Sequence, residues 1–280
     1  MSPQSDNLQD DGLCMPEVGD WSVKKYRLIA TYSQIFSTAM KKKWECRVYI
    51  DLFAGAGLAK IKDGNRIVVA SPLLALQVPD RFDKYIFCDK EEEKLSALRQ
   101  RAEARYPDVD ATYIRGDVNQ STGEILKAVP KASRGYRVLS FCVVDPFSMN
   151  NLHFTTIQEL AQQIYVDFLV LIPSDMDAHR NQEVYLNPKN NVVETFLGSP
   201  EWRGKWSPKS KNFGLFIVQR FGEQMAALGY YDMGVQDTVL VKYSPKNMRL
   251  YRLALYSRNK LGVKFWGSAR KSSEQQLSLF

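Results

Sequence analysis

Histidine is nearly absent from this chain: His153 and His179 are the only two in 280 residues, and they lie far apart in sequence. A Ser–His couple or any histidine-based acid–base pair has little to draw on. Four scattered cysteines (Cys14, Cys46, Cys88, Cys142) form no C-x-x-C pair, so zinc and iron–sulfur spacings are missing as well. They read as reduced thiols, with Cys88 and Cys142 as small core residues inside strands, the usage of a cytoplasmic protein. Long apolar runs are also lacking. The longest, such as 168–173, have strand length, well short of the about 18 residues of a membrane span. The opening MSPQSDNLQDDG has neither the basic flank nor the apolar segment of a secretion signal, which again points to the cytoplasm.

What is present is the balance of a globular chain, 45% hydrophobic and 25% charged, long enough to bury a full core. Its net charge of +7 is unevenly spread. Residues 201–280 hold fourteen Lys/Arg against five Asp/Glu, an excess of nine, so the first two hundred residues are slightly acidic. Trp202, Trp206, Tyr243, Tyr251, Tyr256 and Trp266 are interleaved with that basic stretch. The combination suits contact with a phosphate backbone and stacked bases of DNA or RNA, as it also suits a solvated face over core aromatics. Lys205, Lys209 and Lys211 are candidate phosphate contacts.

Residues 1–20 have no periodic apolar pattern and read as a disordered leader. From 21 to 44, Leu28, Ile29, Tyr32, Ile35, Phe36, Ala39 and Met40 recur at helical spacing, predicting one long amphipathic helix. Strands are expected over 47–52, 84–88, 111–114, 138–144 and 168–172, alternating with helices over 71–77, 91–105, 123–128 and 155–164. Such alternation implies an α/β fold: a doubly wound, mostly parallel seven-stranded sheet covered on both faces. After Pro173 the alternation stops until two β-rich runs, 235–243 and 250–257, joined by Ser244-Pro245-Lys246-Asn247, predict a terminal antiparallel hairpin. One domain over 21–266 is expected, with a helical insertion over 176–234 and a flexible C-terminal tail over 267–280.

The first strand runs through Asp51 into Leu52-Phe53-Ala54-Gly55-Ala56-Gly57, a turn that lets backbone approach a ligand. A dinucleotide fingerprint requires a further glycine where this chain has Lys60, and it does not ask for Asp51. A carboxylate at such a turn suits a cofactor with a cationic sulfonium and a free ammonium, which points to S-adenosylmethionine. Asp89 ends the second strand, where a carboxylate accepts from ribose hydroxyls. Asp117 follows the third, placed to accept from an adenine amine. The fourth strand ends in Asp145-Pro146-Phe147. A carboxylate and the next carbonyl accept from an exocyclic amine, and an aromatic neighbour stacks on a flipped base; a strand-ending turn with a core phenylalanine fits the same residues. Cys142 lies within a strand, away from any Pro-Cys loop, which disfavours methylation at pyrimidine C5.

The D-x-F-x-G-x-G turn, the strand-end acids and the late hairpin resemble a class I S-adenosylmethionine-dependent methyltransferase over most of 45–260. More narrowly, residues 48–57, Ser71-Pro72-Leu73, Asp145-Pro146-Phe147 and 252–257 before Leu261-Gly262 resemble the three-Cys-motif partner protein family. The methyltransferase resemblance implies cofactor roles for Asp51, Phe53, Gly55, Gly57, Asp89 and Asp117. Asp145-Pro146-Phe147 is similar to the D/N-P-P-Y/F motif of amino-methyltransferases, with Phe147 where that motif has its second proline. The narrower resemblance implies a bacterial or archaeal, mobile-element or phage-related setting beside a three-cysteine protein of radical-enzyme type. Two functions follow as expectations: methyl transfer to a nucleic-acid base, with Asp145, Pro146 and Phe147 at the substrate, or a non-catalytic partner subunit of that radical-type enzyme. Finally, Gln276-Leu277-Ser278-Leu279-Phe280 resembles the Q-L-S/D-L-F peptide that docks on bacterial sliding clamps, with Gln276 supplying hydrogen bonds, Leu279 and Phe280 filling an apolar pocket, and Leu277 a further partner-binding residue. The same alternation also fits a terminus tied to the chain's own core.

Overall fold

Strands buried on both faces carry near-continuous apolar runs; four largely buried strands and a half-exposed edge strand (Ala111–Arg115) form the parallel part of the sheet. They are β2 (Cys46–Asp51), β5 (Lys84–Asp89), β6 (Ala111–Arg115), β7 (Val138–Val144) and β8 (Val166–Ile172). The computed structural model describes residues 8–277 apart from 63, 65, 208, 210, 211, 232, 233, 244 and 245, with the side chains of 273–277 outside the description. With β9 (Val239–Tyr243) and β10 (Met248–Tyr256), these strands make a seven-stranded sheet in the order β6-β5-β2-β7-β8-β10-β9. All neighbours from β6 to β8 pair in parallel, and β10 runs antiparallel to both β8 and β9. The expected α/β sheet and hairpin are therefore present. The chain leaves β2 towards β5 and β6, then returns past it to β7, so the order reverses between β2 and β7, where α/β sheets open a crevice at their carboxyl ends.

Period-two alternation sends successive side chains to opposite faces. Val48, Ile50, Ile86, Cys88, Cys142 and Val144 face one core. Against it pack α4 (Thr122–Ala128), α5 (Phe154–Gln163), α7 (Val192–Leu197) and α9 (Phe213–Ala227). Tyr49, Tyr85, Phe87 and Phe141 face the other, under α1 (Ser22–Met40), α2 (Ser71–Leu76), α3 (Glu92–Arg105) and α10 (Lys260–Leu277). Tyr32 and Phe36 of α1 meet Phe141 at centroid distances of 5.0 and 5.4 Å. Burial raises the Cys142 thiol well above its usual range and pushes Cys88 up to about 12, so both stay protonated packing residues.

Two expectations need correction. Residues 8–20 are not a loose leader. Arg101 of α3, its guanidinium buried, donates to Asp11 Oδ1 and Oδ2 (2.6 and 2.7 Å) and to the carbonyls of Cys14 and Ala56 (2.9 and 2.6 Å). The segment then adds β1 (Glu17–Val18) in parallel to β3 (Leu58–Ile61), which pairs antiparallel with β4 (Ile67–Val69). Residues 267–277 are not a flexible tail but continue α10, because Trp266 and Ala269 are fully buried and Trp266 donates to the Asp237 carbonyl (2.8 Å). The aromatics of the basic region also serve the core. Trp202, Tyr256 and Trp266 are buried, and Trp206 packs against Phe213 and Phe216 at 5.0 and 5.1 Å.

Between β8 and β9 the expected helical segment consists of a π-turn (Ser174–His179), α6 (Gln182–Leu186), α7, α8 (Trp202–Lys205) and α9. It is part of the main core rather than an appendage, with Phe221 against Phe154, Phe196 and Tyr256. Among the described residues no helix is long and apolar enough to cross a membrane.

Candidate active site

The turn after β2 is laced into the sheet on both sides: Leu52 N–H donates to the Val143 carbonyl (3.0 Å) and Ala54 N–H to that of Cys88 (2.9 Å). Its two glycines have positive φ, +64° at Gly55 and +81° at Gly57. Their surroundings differ. A Cβ on Gly57 would lie 2.9 Å from Leu73 and Leu98, whereas one on Gly55 would meet nothing within 4 Å. Gly55 faces an open cavity of about 270 Å³ at the carboxyl ends of the strands, lined also by Phe53, Asp89, Asp117, Asp145 and Phe147.

Asp89 is fixed by two backbone donors, Gly55 N–H to Oδ2 (2.8 Å) and Glu91 N–H to Oδ1 (2.9 Å). Asp117 is held by Asn119, whose backbone and side-chain N–H groups both reach Oδ1 (2.8 and 2.9 Å). Pro16 of the N-terminal segment closes one side of the cavity. Four acids (Asp89, Glu91, Asp117, Asp145) line it with Lys90 and Lys94; Glu91 is paired with Lys94 and Asp145 with Lys25, so Asp89 and Asp117 carry the negative charge it offers a cationic guest.

Two expected cofactor residues stand outside this cavity. Asp51 is fully buried beneath the turn, accepting from Phe53 N–H (3.3 Å) and the Tyr49 hydroxyl (3.2 Å). Burial pushes its carboxyl up to about 7 against the pull of Ser71, with the Asp145 charge adding to the rise. Asp51 therefore braces the turn, and Gly57 packs it against α2 and α3.

Asp145, Pro146 and Phe147 leave β7 along the lip of the cavity. Phe147 is 82% exposed, so it does not pack in the core as a strand-ending turn allowed. The loop beyond is fastened: Ser148 N–H and Oγ donate to Asn151 Oδ1 (3.0 and 2.9 Å), and Met149 N–H donates to Asp177 Oδ2 (2.7 Å). Asp145 is not alone. Its Oδ2 accepts from the Lys25 ammonium of α1, and both side chains are mostly buried. Burial opposes the charge on Lys25, but the attraction of Asp145 prevails and raises its proton affinity above the ordinary lysine range.

A second cavity, of about 280 Å³, lies across Asp145-Pro146-Phe147 from the first, with Trp21, Lys25, Tyr26 and Tyr251 in its walls. Sequence reasoning assigned no site role to Trp21, Lys25 or Tyr26, and named Tyr251 only among the aromatics of the basic stretch. One signal was there: Lys25 shares the helical face of Leu28, Ile29, Tyr32 and Phe36, and a cation on an apolar stripe requires a buried partner.

Sheet order and parallel pairing make this a doubly wound, Rossmann-like α/β fold, with the glycine turn and the strand-end acids at its carboxyl edge. No protein-family model matches the chain, and no curated protein matches it either. Solved structures do match in shape. Magnesium protoporphyrin IX methyltransferase (ChlM) from Synechocystis PCC 6803 with bound SAH is 11% identical with a TM-score of 0.45, over 86% of this chain and 85% of that one. Protein LPL1258 from Legionella pneumophila is 11% identical with a TM-score of 0.46, over 86% and 89%. EvdMO1 is 11% identical with a TM-score of 0.42 over 84% of this chain, which spans only 41% of that protein's length. At these values the likeness assigns no activity or substrate to this chain.

Proposed function

We propose that this chain is an S-adenosylmethionine-dependent methyltransferase acting on an exocyclic amine of a DNA or RNA base, in a mobile-element or phage-related setting. The observation that carries the reading is that Asp145 and Phe147 border both cavities, one of which holds Asp89, Asp117 and the open face of Gly55. The first cavity fits the cofactor: Asp89 would receive the ribose hydroxyls, Asp117 the adenine amine, and the acidic lining the sulfonium and ammonium charges. When bound, S-adenosylmethionine would supply an electrophilic methyl group to the amine nitrogen, the C–S electron pair staying on sulfur and the displaced amine proton passing to solvent. Asp145 accepts an N–H from the incoming amine and orients its lone pair, while the exposed Phe147 ring offers a stacking face. Exposed basic residues such as Lys205 and Lys209 supply phosphate contacts, while Lys211 lies outside the described residues.

Calorimetry with S-adenosylhomocysteine and transfer of a radiolabelled methyl group to DNA and RNA test this. Asp89→Ala is expected to cost about 1.5–3 kcal/mol of cofactor affinity through lost charge-assisted hydrogen bonds. Binding of NAD in place of S-adenosylmethionine would refute the assignment. The partner-subunit reading draws support from the Lys25 ion pair, which neutralises Asp145; co-purification with a three-cysteine protein, and methyl transfer only in its presence, would favour it. Docking on a sliding clamp is a further proposal. Gln276 and Leu277 are the last residues of α10 and residues 278–280 lie outside the described ones, so an extended clamp peptide requires the last helical turn to open. Leu279→Ala with Phe280→Ala is expected to abolish recovery on immobilised clamp, and equal recovery would refute it.

A further inference from the structure

The second cavity contains an unfinished set of hydrogen bonds. Tyr251 of β10 is 3% exposed, forms part of the cavity wall, and its hydroxyl has no hydrogen-bond partner among the described residues. A buried hydroxyl without a partner costs free energy that a ligand group in hydrogen-bond reach returns. Beside it, the Lys25–Asp145 pair uses one carboxylate oxygen and one ammonium hydrogen on itself, leaving Asp145 Oδ1 as an acceptor next to further Lys25 N–H donors. Phe147, Trp21 and Tyr26 add flat apolar walls.

We infer that this cavity is the acceptor pocket and that Lys25, Asp145 and Tyr251 read a planar heterocycle whose amine adjoins a ring acceptor, the edge of adenine or cytosine. The inference rests on the base-methylation reading and specifies its substrate. The amine donates to Asp145 while the neighbouring ring nitrogen accepts from Lys25. Guanine presents its ring N–H next to its amine along the Watson–Crick edge and sets that N–H against an ammonium, while the acceptor on the amine's other side, N3, lies on the sugar edge beside the glycosidic bond. Thymine and uracil have no amine to donate. Tyr251 supplies a third bond, to whichever polar atom of the ring or sugar it meets. Lys25 thus acts in recognition as well as in charge balance, and it comes from a helix N-terminal to every strand of the large sheet.

The test uses the full chain saturated with S-adenosylhomocysteine and short fluorescent single strands of thymidine bearing one central adenine, cytosine or guanine. Anisotropy is expected to show adenine and cytosine strands bound about tenfold tighter than the guanine or all-thymidine strands. Lys25→Met should erase that preference. Because this variant strands Asp145 and could unfold the chain, Tyr251→Phe provides the second arm: it removes an unpartnered hydroxyl, so the melting temperature holds or rises, while adenine or cytosine binding weakens about fivefold. S-adenosylhomocysteine affinity, measured alongside, should persist in Tyr251→Phe. Strands bound and methylated without regard to base, or with equal affinity in Tyr251→Phe, overturn the inference and leave base methylation standing. S-adenosylhomocysteine binding with no strand bound or methylated overturns both.

Discussion

Gly55 and Gly57 stand two residues apart in one turn and answer to different constraints. Both hold positive φ, which a Cβ strains by about 1–2 kcal/mol. At Gly57 the Cβ also collides with Leu73 and Leu98, side chains packed between α2 and α3, whereas at Gly55 it projects into the cavity. Gly57→Ala is therefore expected to lower thermal stability by clearly more than Gly55→Ala. The reverse order is expected for S-adenosylhomocysteine affinity, where Gly55→Ala fills ligand space. Differential scanning calorimetry and titration calorimetry on the two variants measure both, and equal losses in each would show that the turn has one role. Legibility at this scale was partial. The glycines and strand-end acids were visible in sequence because each sits at a fixed offset from a strand. The raised carboxyl of the buried Asp51 was not, since Ser71 and Asp145, which act on it, arrive from other elements.

The same division holds among the elements. Strands and helices of the alternating centre were legible because their periodicity is local; β1, β3 and β4 were not, being two to four residues each and stabilised by pairing across the chain. The N-terminal segment looked loose because its fastening is one buried guanidinium eighty-seven to ninety residues away. The end of α10 looked like a tail because Gly267, Ser268 and the charges after Arg270 hide that Trp266 and Ala269 share a buried face. Arg101 ties the N-terminal segment to Ala56 of the glycine turn, and Pro16 of that segment walls the cofactor cavity. Asp11→Ala removes both bonds to the carboxylate, at a cost of about 1–3 kcal/mol. The expected result is faster amide hydrogen exchange over 11–18 together with weaker S-adenosylhomocysteine binding. Faster exchange with unchanged affinity would detach the strap from the site.

At the scale of the whole molecule, two buried acids give stability an unusual pH dependence. Asp51 and Asp167 lie under opposite ends of the sheet's aromatic core, and burial pushes each up to about 7 from the ordinary 3.8. Ser257, Tyr32 and Arg258 restrain Asp167 without reversing the rise, while Asp145 adds to that of Asp51. Between pH 4 and 7 the folded chain thus keeps protons that the unfolded chain has released. Stability therefore falls as pH rises through that window, by up to about 1.4 kcal/mol per unit for each acid, and levels above it. Carboxylates held low act at the other end: Arg101 beside Asp11, Arg137 beside Glu45 and Lys41 beside Asp80 lose their contribution as pH falls below about 4. The optimum is accordingly expected near pH 4–5 rather than at neutrality. Denaturant melts at pH 5 and pH 8 should show the higher midpoint at pH 5. Asp167→Asn, which keeps the volume and removes the charge, should flatten the difference by about half. A midpoint that rises from pH 5 to pH 8 would mean that both acids keep their charge in the folded chain, and that the packing around Ser257 and Ser71 stabilises carboxylates rather than acids.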